Sequence, residues 1–128
     1  MCAFERLDAW HRCHELSLAV YRMTSNWPSV ERFGLISQVR RATVSAEANI
    51  AEGSAKRGRA EFRRYLDISL GSLSELACLL RLASDLGILS TRDQKEVDKI
   101  REAASKLTWQ LYKSMGPRPS DRLSVPTV

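Results

Sequence analysis

The fold is decided by residues 59–86, which read RAEFRRYLDISLGSLSELACLLRLASDL. Apolar or small residues recur there at alternating steps of four and three, the spacing that places side chains on one face of an α-helix. This first seam consists of Phe62, Leu66, Ser69, Leu73, Leu76, Leu80 and Ala83, and a second seam beside it consists of Tyr65, Ile68, Ser72, Glu75, Leu79, Leu82 and Leu86. Together the seams span roughly 160°, wider than the stripe of a typical surface helix. The helix is therefore predicted to contact more than one neighbour.

Three further helices are predicted, over residues 9–25, about 31–52 and about 91–115. In each of them apolar residues return every three or four positions, as a buried helix face requires. The inward residues are Trp10, Cys13, Leu16, Val20 and Met23 in the first helix, Leu35, Val39, Ala42, Ala46 and Ile50 in the second, and Val97, Ile100, Ala104, Leu107 and Leu111 in the fourth. Four long helices with short connections predict an all-α fold, an up-down-up-down four-helix bundle.

Capping and stop signals set the expected ends of these helices. Asp8 is expected to cap the first helix, and Thr91 with Gln94 forms a capping-box pattern before the fourth. Gly53 is expected to end the second helix in a left-handed conformation, and Gly87 to end the third. The bundle domain is expected to span residues 1–115, followed by a disordered tail over residues 116–128 that begins Gly-Pro-Arg-Pro.

Length, hydropathy and cysteine usage favour one domain inside the cell. The chain has 128 residues, 44% of them hydrophobic, which is enough for a single core. No apolar run approaches the ~20 residues that cross a bilayer, and the first residues lack the pattern of a secretory signal. Cys2, Cys13 and Cys78 form no C-x-x-C pair, and an odd number argues against a disulfide framework. These features predict a cytoplasmic protein with no membrane contact.

Positive charge is concentrated just after the second helix. The chain carries a net charge of +5, and residues 56–64 hold five basic side chains against Glu61, or +4 of that total. Cations at a helix start oppose its macrodipole, so helix stability does not explain them, whereas clustered arginines match phosphate geometry. The alternative interpretation is a solvated, charge-rich loop. The candidate nucleic-acid-binding residues are Lys56, Arg57, Arg59, Arg63 and Arg64, with Arg40 of the second helix as a further candidate.

A polar stripe follows the second helix, about a quarter-turn from its apolar face. It consists of Gln38, Arg41, Ser45, Asn49 and Glu52, which fall within roughly 80° of one another. One interpretation is a hydrogen-bonded network or subunit contact, with Glu75 of the third helix as a partner for Arg41. The other is a ligand or catalytic site, but the stripe lacks a nucleophile–base pair. The stripe is therefore predicted to be structural or interfacial, and the protein is predicted not to be an enzyme.

Metal binding is a third hypothesis, because Asp8, His11 and His14 lie one helical turn apart and Cys13 is adjacent. A di-iron bundle needs glutamates from two helices and a Glu-x-x-His motif on each of two others. Only fragments of that pattern are present in the sequence. No metal ion and no cofactor are therefore expected.

Several of these motifs together resemble the 23S ribosomal RNA intervening-sequence protein family. The similarity extends over about residues 4–112 and is carried by Gln38-Val39-Arg40-Arg41-Ala42, Ser45, Asn49-Ile50-Ala51-Glu52-Gly53, Phe62 and Gly71-Ser72-Leu73-Ser74-Glu75-Leu76. The resemblance implies a bundle that assembles as a homopentameric ring. It also implies distant kinship to the accessory variability determinant of diversity-generating retroelements, which works with a reverse transcriptase and nucleic acid. The family has no established enzymatic activity.

Two functions from different classes follow from these features. The first is a cytoplasmic homo-oligomer, a pentamer if the resemblance holds, that binds nucleic acid, with RNA as the expected class, through its basic residues. The second is a protein-interaction scaffold or an accessory subunit for a nucleic-acid enzyme such as a reverse transcriptase. Affinity for nucleic acid that falls steeply as salt rises would indicate phosphate contacts and support the first function. A tightly bound protein partner with no retained nucleic acid would support the second.

Overall fold

The computed structural model describes residues 1–116 and contains four α-helices. These are α1 (Asp8–Thr24), α2 (Leu35–Ser54), α3 (Arg59–Asp85) and α4 (Thr91–Ser114), with short 3-10 turns at Ala3–Arg6 and Ser29–Glu31. Within residues 1–116 there is no β-strand. The predicted all-helical fold with four helices is confirmed. The predicted disordered tail lies outside the described residues, apart from Gly116.

The helices form a closed cycle in which each packs against two neighbours. α1 lies against α2 and α4, and α3 lies against the same two helices. Short connections make consecutive helices antiparallel, so the chain runs up, down, up and down. The end of α2, the start of α3 and the end of α4 therefore meet at one end of the bundle, where α1 also begins.

The first seam of α3 forms the centre of the core. Leu66, Leu73, Leu76 and Leu80 are each at most 2% exposed, and they belong to a cluster that includes Ile50 of α2. Burying a leucine side chain contributes about 1.5–3 kcal/mol, so this seam supplies a large part of the stabilisation. The alternation of steps of four and three in residues 59–86 is the sequence feature that places these leucines on one side.

The second seam of α3 is largely uncovered. Ile68 is 42% exposed, Leu82 is 47% exposed and Leu86 is 58% exposed. Two members of this seam contact α2: the hydroxyl of Ser72 lies 2.8 Å from the hydroxyl of Ser45, and Tyr65 packs against Gly53. Packing within the chain therefore covers only about half of the wide apolar arc that the sequence predicts for α3.

Gly53 does not end α2 in a left-handed conformation, so that prediction is wrong. Gly53 is buried inside α2, and the glycines with positive φ in residues 1–116 are Gly58, at 88°, and Gly87, at 76°. A Cβ atom at Gly53 would lie 2.7 Å from Cβ of Tyr65 and 3.0 Å from Cδ1 of Phe62. This glycine allows α2 and α3 to approach closely, and the left-handed turn before α3 falls at Gly58 instead.

Two helix starts and one helix cap also differ from the expected positions. The hydroxyl of Ser90, not that of Thr91, caps α4 by accepting a hydrogen bond from the backbone N–H of Asp93, at 3.1 Å. α1 already includes Asp8. α2 starts at Leu35, whose N–H donates to the carboxylate of Glu31 at 3.1 Å, so the preceding residues form a separate turn.

Candidate nucleic-acid interface

Five of the six predicted basic residues, those within residues 56–64, lie at the end of the bundle where α2 ends and α3 begins. Lys56 and Arg57 lie in the exposed loop between α2 and α3, and the other three predicted residues lie in the first turns of α3. Lys113, in the last turn of α4, belongs to the same end. We call this surface the basic end, which consists of Lys56, Arg57, Arg59, Arg63, Arg64 and Lys113.

Two arginines join the start of α3 to the end of α4. The guanidinium of Arg59 donates a hydrogen bond to the backbone carbonyl of Ser114. The guanidinium carbon of Arg63 lies 4.3 Å from the ring centroid of Tyr112. Arg63 is half-buried, and its Nε has no hydrogen-bond partner among residues 1–116. These two residues therefore have a structural role in addition to their charge.

Four of the six cations lie over aromatic rings. The guanidinium of Arg64 is 4.5 Å and the ammonium of Lys56 is 5.5 Å from the centroid of Tyr65. The ammonium of Lys113 is 5.8 Å from the centroid of Trp109. Cation–π contacts of this kind hold a long side chain in place without neutralising its charge. Four of the six charged side chains at the basic end are thus held in defined positions.

Arg64 is paired with the acidic residue of the segment. Its guanidinium lies 3.4 Å from the carboxylate of Glu61, and both side chains are about half exposed. The hydrogen bond from Arg64 to Glu61, together with the charge of that carboxylate, raises the pKa of Arg64 above its ordinary value. Arg64 therefore remains a cation at every pH that the protein would meet. Exposed pairs of this kind contribute little to stability.

The structure does not bring Arg40 to the basic end. Arg40 precedes Lys56 by sixteen residues along α2, which is about 24 Å at the rise of an α-helix. Its Nε donates to the hydroxyl of Thr24 at 2.8 Å, and its guanidinium lies 4.6 Å from the ring centroid of Tyr21. Arg40 instead lines a surface groove of about 440 Å³, the arginine groove, formed by Tyr21, Arg32, Phe33, Ile36, Ser37, Arg40, Arg41 and Val44.

The polar stripe of α2 is split between packing and solvent. The amide of Asn49 donates to the backbone carbonyl of Ser45 at 2.8 Å and lies 3.2 Å from its hydroxyl, which in turn contacts α3. Gln38, Arg41 and Glu52 are exposed. No ion pair joins Arg41 to Glu75 within residues 1–116, although the pairing of Ser45 with Ser72 places the two on facing turns. Ser45, in the middle of the stripe, contacts α3, and Asn49 hydrogen-bonds to Ser45 within α2.

The two histidines have different hydrogen-bond partners, although both rings contact Trp10. Nδ1 of His14 lies 2.9 Å from the carboxylate of Glu47, and its ring stacks on Trp10 at a centroid distance of 4.7 Å. Nε2 of His11 lies 2.7 Å from the backbone carbonyl of Glu5. In the described part of the chain, no three His, Cys, Asp or Glu side chains come together as a metal site would require. In that same part, every helix is too short or too polar to cross a membrane.

Burial makes Cys13 unreactive, which gives a first prediction. Desolvation raises the pKa of Cys13 from 9.0 to about 12, whereas Cys2 and Cys78 are exposed. Because the thiolate is the reactive form, we expect an aromatic disulfide reagent at pH 8 to titrate two thiols in the folded protein and three after denaturation. Since unfolding restores an ordinary thiol, stability should also fall as pH rises from about 9 toward 12. A third fast thiol in the folded protein would contradict this packing.

Sequence reasoning missed the contribution of α4 to this surface. Trp109, Tyr112 and Lys113 were not among the predicted site residues, because only the inward positions of the fourth helix were considered. They lie about fifty residues from the basic segment in sequence and reach it only through antiparallel packing. Trp109 lies away from the apolar face of α4 and is 48% exposed, and that placement was the available signal.

Comparison with known proteins identifies relatives of the chain. A family model described as 23S rRNA-intervening sequence protein matches residues 5–112. A crystal structure of a protein of unknown function from the S23 ribosomal protein family of Bacteroides thetaiotaomicron is similar, with a TM-score of 0.73 and 21% sequence identity, over 82% of this chain and 98% of that one. At this identity the structural similarity concerns the fold. No curated protein matches the chain.

Proposed function

This chain belongs to the 23S rRNA-intervening sequence protein family, and on that premise we propose that it is a non-enzymatic, cytoplasmic homo-oligomer that binds nucleic acid, RNA in preference to DNA, through the basic end. The observation that carries this proposal is the gathering of six cations at one end of the bundle, five of them held by aromatic or hydrogen-bond contacts. Glu61 is the acidic residue of the segment 56–64. Lysine and arginine side chains neutralise phosphates and release counterions, so this surface suits a polyanion. Phosphate contacts carry little sequence information, and the binding is expected to tolerate many sequences.

Self-association uses two surfaces that a single copy leaves uncovered. The α3 edge consists of Ile68, Glu75, Leu82 and Leu86, and is apolar with a carboxylate. The arginine groove combines an apolar lining with three guanidinium groups and no acidic side chain. Apolar surface and opposite charge make the α3 edge of one copy complementary to the groove of the next. A contact between two different surfaces continues from copy to copy, and it forms a ring when the rotation between copies closes, as the expected homopentamer requires.

Removing two exposed cations tests the nucleic-acid proposal. Replacement of both Lys56 and Arg57 by alanine should weaken binding of a labelled RNA, because both side chains lie in an exposed loop and carry charge without packing the core. The plot of log affinity against log salt should become less steep by about 1.4–1.8, since each phosphate contact contributes about 0.7–0.9 to the slope. Fluorescence anisotropy titrations at several salt concentrations measure both quantities.

A charge-matched variant provides the control for this experiment. Arg92 and Lys95 are exposed in the first turns of α4, about 30 Å along that helix from Lys113. Their double replacement by alanine removes the same net charge from the opposite end of the bundle and should leave the salt slope unchanged. Equal weakening by the two double variants would show that overall charge, and not the basic end, causes binding. Absence of binding at low salt would reject the proposal.

A scaffold function is the second candidate, and the connection between α1 and α2 favours it. Val30 is 86% exposed and Phe33 is 91% exposed in this connection, and Phe33 borders the arginine groove. Exposed apolar residues grouped beside a groove are typical of protein interaction sites. The partner would then be a protein, such as a nucleic-acid enzyme of the reverse transcriptase class. Tight binding of such a purified enzyme at moderate salt, lost on replacement of Phe33 by serine and without retained nucleic acid, would favour this function.

A further inference from the structure

We propose that the basic end takes single-stranded nucleic acid and that an unpaired base stacks on Trp109. This inference rests on the proposed function and names its substrate class. The chain has three tryptophans, and they differ in exposure. Trp27 is 7% exposed and Trp10 is half-buried against the core, whereas Trp109 is 48% exposed. Trp109 is therefore the tryptophan whose ring surface is available at this end of the molecule.

The surroundings of Trp109 suit a base together with its phosphates. Its ring stacks on Tyr112 at a centroid distance of 5.4 Å and an interplanar angle of 20°, which fixes its orientation. Lys113 lies 5.8 Å from the Trp109 ring, and the guanidinium of Arg63 lies 4.3 Å from the Tyr112 ring. Cations that can contact the phosphates of a nucleic acid therefore lie next to an aromatic ring on which a base can stack. This combination is typical of sites that bind single strands, where each stacked base contributes substantially to affinity.

Packing within the bundle does not explain the position of Trp109. The neighbouring core residues of α4 are Ala104 and Thr108, both fully buried, whereas Trp109 lies one position beyond Thr108 and points away from the apolar face. A duplex keeps its base faces inside the stack, so an exposed indole gains little from it. A single strand can present an unpaired base to the ring while its phosphates reach Arg63 and Lys113. The aromatic surface therefore favours the single strand over the duplex.

The test compares two substrates and two variants of the full chain. The substrates are a mixed-sequence RNA of about 12 nucleotides that forms no structure, and the same strand annealed to its complement. Replacement of Trp109 by alanine should weaken binding of the single strand by about 5- to 150-fold and change binding of the duplex less than about twofold. A strand with abasic central nucleotides keeps its phosphates and should bind the wild type and the alanine variant equally.

The possible outcomes distinguish failure of this inference from failure of the proposed function. Leu18, which is 44% exposed on α1, provides a control, since its replacement by alanine removes a similarly exposed apolar side chain and should change neither affinity. An equal effect of the Trp109 variant on single strand and duplex, or no effect on the single strand, overturns this inference. The proposed function survives that result if the Lys56 and Arg57 double variant still weakens both substrates. If the wild-type protein binds neither the single strand nor the duplex, both proposals are overturned. Circular dichroism confirms that each variant is folded.

Discussion

Replacing Gly53 by alanine is expected to lower the free energy of unfolding by about 1–3 kcal/mol, although alanine is the better helix former. The new Cβ would lie 2.7 Å from Cβ of Tyr65 and 3.0 Å from Cδ1 of Phe62. The Tyr65 atom is attached directly to the backbone of α3 and cannot move by rotation of its side chain. The two helices would have to separate, and the contact between α2 and α3 would loosen along its length.

Gly71 provides the matched control for this substitution. It lies within α3, it is exposed, and an added Cβ would have no atom within 4 Å. Replacement of Gly71 by alanine should therefore raise the free energy of unfolding by about 0.5–1 kcal/mol, through helix propensity alone. Urea denaturation followed by circular dichroism, at one protein concentration for all variants, measures both changes. A stabilising Gly53→Ala substitution would show that α2 and α3 do not approach as described.

A positive charge on the α3 edge is expected to dissociate the proposed homo-oligomer. The arginine groove contains the guanidinium groups of Arg32, Arg40 and Arg41. In the contact proposed above, replacement of Leu82 by lysine would place a cation against these groups of the next copy. Burying an unpaired charge beside like charges costs several kcal/mol, which corresponds to a loss of association by orders of magnitude. Leu82 is 47% exposed in the single chain, and lysine favours helix, so the fold should remain intact. Light scattering after size exclusion should report a multiple of 14.5 kDa for the wild type and one copy for the variant.

The sign of the introduced charge separates this contact from a nonspecific apolar one. Replacement of Leu82 by glutamate makes an equally polar change but places an anion in the arginine groove, and it should weaken the assembly less than lysine does. Replacement of Leu18 by lysine, at a similarly exposed position on α1, should leave the assembly intact. A wild-type protein of 14.5 kDa in solution would reject self-association. Equal effects of lysine and glutamate would reject the groove as the partner surface.

The periodicity of α3 predicted the core correctly, because a repeat of 3.6 residues leaves few choices for the buried face. Leu66, Leu73 and Leu76 are buried where the pattern placed them. Helix ends were harder to predict, since Ser90 and Thr91 are adjacent residues with hydroxyl groups and either of them can cap a helix. Gly53 shows a second limit of prediction from sequence. A glycine near the end of a helical pattern suggests a stop, and only the position of Tyr65 on another helix reveals that it is a site of close approach.

The candidate site was predictable where it is local in sequence and not where it depends on packing. Lys56 and Arg57 lie in one basic segment, so their proximity to the first turn of α3 follows from the sequence. Lys113 and Trp109 join them because α4 ends where α3 begins, which required the helix order and the rotation of α4 about its axis. The partner of Arg40 was unpredictable for the same reason, since Thr24 is contributed by another helix.

An even number of antiparallel helices has a practical consequence for the handling of this protein. The short turn at Ala3–Arg6 and the last turn of α4 lie at the same end, next to Lys56 and Arg57. A label attached to either of these turns, or a sensor surface that captures the protein there, would therefore crowd the face that is proposed to meet the ligand. A fluorophore or fusion partner inserted in the connection between α3 and α4 would leave that face open. Apparent failure to bind should be judged only after the attachment point has been moved there.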